Sequence, residues 1–305
     1  MAQSQILLMK SKKLNVGGQA VIEGVMIRGP SKYVVAVRKG KKITAKKGAI
    51  PKKKGFLKLP FVRGFANLVE MLAIGIKALM WSAEQNAPKG EKIGKNEFAL
   101  SFLVSIAAVI VVFIALPYFL TNLLGFYEEK KPVLFNLVDG FIRIMFFLIY
   151  IFAISFMNDV KILFQYHGAE HKAIHCYEHG KKLRIGNIRK FTTLHPRCGT
   201  SFLLIVFIVS IFVFSILPSI IMMYYPSFLE LNIWARRGIL FPVRILLIPI
   251  IAGISYEILK ISDKYQQNPL FRMVTLPGLA LQKITTKEPS EKQIEVALYS
   301  LKKLL

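Results

Sequence analysis

The chain has 305 residues, 54% of them hydrophobic, and 42 Lys and Arg against 17 Asp and Glu leave a net charge of +25. The apolar content excludes a disordered chain, and two cysteines exclude a disulfide-built secreted scaffold. A mean hydropathy of +0.47 beside so large a charge requires apolar residues and charges to be segregated along the sequence.

Residues 1–13 hold no signal-peptide core. Residues 1–64 are expected to form a basic cytosolic domain that contains β structure. Tyr33–Arg38 and Lys42–Ala45 read as a hairpin around Gly40, with glycines punctuating the segment before it. Lysine clusters at 39–42, 46–47 and 52–54 suit an anionic lipid surface, and clustered cations also suit the phosphates of RNA or a ribosome. Gly17-Gly18 opens neither a dinucleotide nor a P-loop pattern. Within 65–97, the stretch 65–81 is nearly all apolar but carries Glu70 and Lys77, so it reads as an amphipathic helix lying in the interface.

Residues 98–261 form the membrane domain, with apolar runs at 98–124, 133–157, 201–225 and 239–261. Each is longer than the roughly 20 residues that cross a bilayer as a helix. Segments 1–97, 158–200 and 262–305 hold 20, 8 and 7 basic residues, and the loops 125–132 and 226–238 hold 2 each. The positive-inside rule therefore places both termini and the 158–200 loop in the cytoplasm. The expected fold is mainly α: a polytopic protein with four transmembrane helices and a small β-containing N-terminal domain. Charges inside the spans form a candidate polar site. Asp139 and Arg143 are spaced to pair on one helix face, and Arg244 lies at similar depth, flanked by Pro242 and Pro249. Residues 262–305 read as a short amphipathic cytosolic tail ending in a surface helix from Glu291.

All five histidines lie between 167 and 195, with cysteines at 176 and 198. On a helix, His167 and His171 lie about 40° apart and Glu170 about 60° to the other side of His167. His167-x-x-Glu170-His171 matches a metallopeptidase arrangement of two zinc-binding histidines and a glutamate base. His195 and Cys198 lie on a turn before the third span. With His167 and His171 they would complete a nitrogen and sulfur tetrahedron for zinc. His175 and His179 rotate away toward solvent, and Cys176 points off the His167 face as a small core residue. Glu170 has the alternative of pairing with Lys172 or Arg197.

VGGQAVIEGVMIRGP at 16–30, FVRG at 61–64, FQYHGAEHKAI at 164–174 and TLHPRCGTSF at 193–202 resemble the YqhQ-like family of bacterial membrane proteins. That family has a domain of unknown function and has been described as predicted metal-dependent enzymes. The resemblance implies a multi-span protein of the bacterial cytoplasmic membrane, and its motif falls on His167, Glu170, His171, His195, Arg197 and Cys198. Two functions stay open. In one, His167, His171 and one of His195 or Cys198 hold zinc, and Glu170 activates a water to attack a carbonyl or phosphoryl group of a small-molecule substrate of unknown identity. In the other, the cluster only staples the loop, and the basic domain docks on a ribosome, a translocation partner or membrane lipids.

Overall fold

The computed structural model describes residues 14–87, 95–128 and 130–305; the readings of 1–13 and of 88–94 lie outside the described residues. Four antiparallel strands form a meander in the order β1 (Gly17–Val21), β2 (Gly24–Arg28), β3 (Lys32–Lys39), β4 (Lys42–Ala49). Lys39 pairs with Lys42 across the expected hairpin, and Gly40 takes φ +59°, a region open to glycine without steric cost.

Helix α1 (Val62–Asn86) follows, and then α2 (Lys95–Ile110), which continues through a π-helical segment (Val111–Ala115) into Leu116–Leu123. The remaining helices are α3 (Pro132–Ile154), α4 (Asn158–Glu178), a single turn α5 (Ile185–Ile188), α6 (Gly199–Tyr224), α7 (Ile233–Lys264), α8 (Pro269–Thr285) and α9 (Glu291–Leu304). Among the described residues, five helical segments are long and apolar enough to cross a membrane: Val62–Asn86, Ala99–Leu123, Pro132–Ile154, Gly199–Tyr224 and Gly238–Lys264. The last four coincide with the runs expected as spans. Helix α7 continues through Pro242 and Pro249, so the prolines do not open it.

The central strands β2 and β3 are buried on both faces, so their alternation splits apolar residues between two cores. Val25, Ile27, Val34 and Ala36 pack against α4 and α9, whereas Val21, Met26, Val35 and Val37 pack against Ile74 and Ala78 of α1. Helix α1 is tied to the sheet by Arg28 Nη2 donating to Glu70 Oε1 at 2.5 Å and by Ile22 N donating to Ser82 Oγ at 3.1 Å. Its opposite face exposes Val69, Leu72, Ile76 and Met80. The stretch 65–81, read as one amphipathic helix, is the centre of α1.

Helix α1 crosses α7 at two glycines. A Cβ on Gly64 would lie 2.6 Å from Tyr256 Cβ, and one on Gly253 would lie 2.5 Å from Phe61 O. Small residues let the backbones approach there, and the bidentate Arg63–Glu257 pair closes the crossing.

The expectation of a surface helix on a C-terminal tail is corrected. Ile294, Val296, Ala297, Leu301 and Leu304 are fully buried, and Ser300 Oγ donates to Val34 O at 2.9 Å. A capping box at Ser290 and Gln293 starts α9. Its apolar positions sit in a core shared with the strands and α4, more than 100 residues earlier, so the pattern could only be read as amphipathic.

Candidate metal centre

The site is built on α4, at the end of the bundle where α6 begins. Its wall is the 192–198 turn. Cys198 is the residue that immediately precedes α6, and the C-terminus of α8 closes the other side.

The face predicted for His167 and His171 is present, with their rings 4.4 Å apart. His167 Nδ1 meets Thr285 O at 2.9 Å, and His171 Nδ1 meets Thr193 O at 2.5 Å. A carbonyl only accepts, so each Nδ1 carries the proton and each neutral ring keeps its lone pair at Nε2. His167 Nε2 lies 3.2 Å from Cys198 Sγ. Ligand atoms of His167, His171 and Cys198 all lie within 4.8 Å of one another. A tetrahedral zinc, with bonds of about 2.1 Å to nitrogen and 2.3 Å to sulfur, separates its donors by about 3.5 Å. The three side chains therefore converge at a spacing that fits such an ion, with their tautomers already set by backbone partners.

Glu170 is buried beside them, with Oε2 3.5 Å from His171 Nε2. Burial pushes its carboxyl up to about 7. Burial also lowers His171 and holds it neutral. The alternative partners of Glu170 are engaged elsewhere, Lys172 with Glu288 and Arg197 with Glu178.

Two glycines make this packing possible. A Cβ on Gly18 would lie 2.8 Å from Glu170 Oε1 and 2.4 Å from Met26 O, and one on Gly168 would lie 2.1 Å from Lys287 O. Gly18 thus lets β1 touch the glutamate, and Gly168 lets the chain after α8 reach α4. No phosphate pattern explained Gly17-Gly18, and Gly18 has this packing role.

His195 stands next to the triad, its ring 5.6 Å from that of His171, but it is held differently. Its Nδ1 accepts from Arg197 N at 3.2 Å, so Nε2 carries the proton and donates to Glu178 Oε2 at 3.2 Å. Both nitrogens are engaged, and of the two candidates for a third ligand, His195 and Cys198, it is Cys198 whose donor atom converges with those of His167 and His171. The buried Gln282 pins His195 through its backbone N at 2.7 Å and O at 2.8 Å. Arg197 reaches Glu178 and, at 3.7 Å, Asp263.

His175, Glu178 and His195 form a second group with ligand atoms within 4.8 Å. His175 Nε2 donates to Leu194 O at 2.8 Å, and burial lowers its pKa. Burial alone would raise Glu178, but the hydrogen bond from His195 and the positive charge of Arg197 turn the net shift downward. With a guanidinium already on its carboxylate, this group is an ion-pair network beside the triad. His175 is half-buried rather than solvent-facing, while His179 is exposed as expected. Cys176 is fully buried, and burial pushes its thiol up, as suits a core residue.

Asp139, Arg143 and Arg244 lie at the far end of the bundle and take no part in this centre. Sequence reasoning missed Gly18, Glu178 and Gln282. The last is almost 90 residues from the turn it holds, and nothing in its local pattern signals the contact.

The fold and site together define a class: a mainly helical protein with membrane-compatible helices, a small four-stranded sheet and a His/Cys/Glu cluster where the two meet. Residues 59–305 match the family described as "Protein of unknown function (DUF1385)", and the chain belongs to that family. It is 34% identical over 308 residues to "Uncharacterized protein YqhQ" of Bacillus subtilis (strain 168), covering 95% of this chain and 92% of that protein. No solved structure matches it.

Proposed function

We propose that the protein is a metal-dependent hydrolase of the bacterial cytoplasmic membrane, with its centre at the cytosolic surface. The observation that carries this reading is the paired setting of His167 and His171. Each donates Nδ1–H to a backbone carbonyl and turns Nε2 toward Cys198. These three residues would hold zinc. Such an ion supplies Lewis acidity and a water of lowered pKa. Glu170, a base with its carboxyl raised to about 7, takes the proton from the attacking water and returns it to the leaving group. Gly18 and β1 close the rear of this glutamate, while Gln282 and Arg197 fix the turn that carries Cys198.

Four crossings and cytosolic termini belong to the same proposal. The sheet shares one core with α4 and α9, which requires an even number of crossings between them. Helices α2 and α3 supply two, and α6 and α7 supply two more. A crossing by α1 would make the first interval odd and separate the sheet from α4. Helix α1 therefore lies in the interface, sheet on one face and lipid on the other. Phe56, Leu59 and Phe61, exposed beside Lys52, Lys54 and Lys58, favour an anionic lipid surface as partner of the basic domain.

Metal analysis of the purified chain tests the reading. About one equivalent of zinc is expected in the wild type and in Glu170→Gln, with loss in His171→Ala and Cys198→Ala. Cellular function should fail in all three variants. Wild-type protein without stoichiometric metal refutes the centre, and retained function in Glu170→Gln reduces it to a staple.

A second reading has its own observation. Cys198 occupies a helix N-terminus 3.2 Å from His167 Nε2, an arrangement that also suits a thiol nucleophile and its base. Metal-free active protein, inactivated by alkylation of Cys198, would select it.

A further inference from the structure

The sheet and α1 do not close completely on one another. Between them lies a pocket of about 200 Å³, lined by Val35 and Ala78 and by the Tyr33 and Trp81 rings. Tyr33 pairs with Gly48 and Val35 with Lys46, so all four lie on the face of the sheet that turns to α1. A Cβ on Gly48 would lie 2.3 Å from the Tyr33 ring, so the glycine lets that ring lie across β4 as a wall.

Lys77 and Glu84 of α1 line the pocket beside Trp81. Around the helix from Lys77, Trp81 stands at about +40° and Glu84 at about −20°. The buried Ile74 and Ala78 stand at about +60° and +100°, and the exposed Met80 and Ile76 at about −60° and −100°. The pocket thus sits on the seam between the face of α1 that meets the sheet and its exposed apolar face. Met80, from that apolar face, reaches the rim.

The rim is accessible, since Lys46, Lys77 and Glu84 are all exposed. Among the described residues, none of these three has an ion-pair partner, and the Tyr33 hydroxyl and Trp81 Nε1 have no hydrogen-bond partner. Two lysines against one glutamate leave the pocket a charge of +1. The space is smaller than the roughly 300–1,000 Å³ of sites for drug-sized ligands. Such a setting calls for a small group with one negative charge, hydroxyls to donate and carbons to lay on an aromatic face.

We propose that this pocket binds the headgroup of phosphatidylglycerol. Lys46 and Lys77 donate to the phosphate oxygens, and the glycerol hydroxyls donate to the Glu84 carboxylate. The glycerol carbons lie against the Trp81 ring, and the acyl chains leave past Met80 into the lipid that covers Leu72 and Ile76. This site rests on the interfacial placement of α1 and is independent of the His–Cys chemistry. It adds a headgroup preference that attraction between charges alone does not give.

The full chain, exchanged into nanodiscs that contain phosphatidylglycerol, phosphatidylmethanol or phosphatidylcholine, provides the test, with retained lipid counted by native mass spectrometry. Phosphatidylmethanol carries the same charge as phosphatidylglycerol without its hydroxyls. The wild type should retain the glycerol lipid over the methanol lipid by about tenfold, as one charge-assisted hydrogen bond predicts. Glu84→Ala should abolish that preference. Lys46→Gln with Lys77→Gln should lower retention of both anionic lipids by about tenfold or more. Lys39→Gln with Lys41→Gln removes the same charge outside the pocket and should leave retention unchanged. Melting in choline-lipid discs checks that the variants are folded, and the wild-type preference alone decides if they are not. Equal retention of the two anionic lipids, both above the choline lipid, overturns the pocket and leaves the interfacial placement standing. Equal retention of all three overturns both. Equal losses in the two lysine double variants overturn the pocket, and saturable binding of soluble glycerol phosphate without retained lipid overturns the lipid assignment.

Discussion

Replacing Glu170 by Gln isolates the cost of a buried carboxylate. In the folded chain this group ionises near 7 rather than at 4.5, because burial dominates its surroundings. Below pH 4.5 it is protonated in both folded and unfolded states and contributes nothing. Between the two values the folded state holds a proton that the unfolded state has released, so stability falls as pH rises. Above 7 the full cost applies, on the order of 3 kcal/mol at about 1.4 kcal/mol per pKa unit. The glutamine is nearly isosteric and does not titrate. With metal removed by chelator, Glu170→Gln should match the wild type near pH 4.5 and exceed it at pH 8 by roughly 6 °C in Tm. His171 and His175, kept neutral by burial, contribute the opposite slope below their ordinary value of 6.5. The measured quantity is therefore the difference between the two proteins at each pH, from thermal melts in one detergent. A difference that stays constant across the range, or a variant less stable than wild type at pH 8, would refute the reasoning.

Three further outcomes are expected. Gly18→Ala should destabilise the chain by about 1–3 kcal/mol in the same melts, because the new Cβ meets Met26 O and Glu170 at once. Arg197→Ala should weaken zinc affinity by about 10–100-fold in a chelator competition while the fold survives, since it anchors the turn before Cys198 without being a ligand. Leu301→Ala should cost about 2–5 kcal/mol, a loss that a helix on the surface would not show.

The hairpin at Gly40 and the four apolar runs were legible because each rests on local physics: a turn that favours glycine and a hydrocarbon width that demands long apolar segments. The shared face of His167 and His171 was legible for the same reason, since helical periodicity alone sets it. The partner of Asp139 was equally local, four residues away on one helix. His195 was different. Its spacing from Cys198 suited a ligand, but its ring is committed by Arg197 N and by Glu178, a contact the turn makes only after folding onto α4. The role of α9 was hidden for a related reason, because an amphipathic pattern gives no address for its apolar face.

Segregated composition by itself determined which helices are long and apolar enough to cross a membrane, and the clustering of five histidines in one short stretch marked the candidate site. Tertiary structure decided which donors converge. It brought the carbonyls of Thr193 and Thr285 to two imidazoles, Gly18 to Glu170, and the first strands together with the last helix. Each of these pairs joins residues that are distant along the chain. Burial and hydrogen bonding select such contacts from the whole fold, and no local period encodes them.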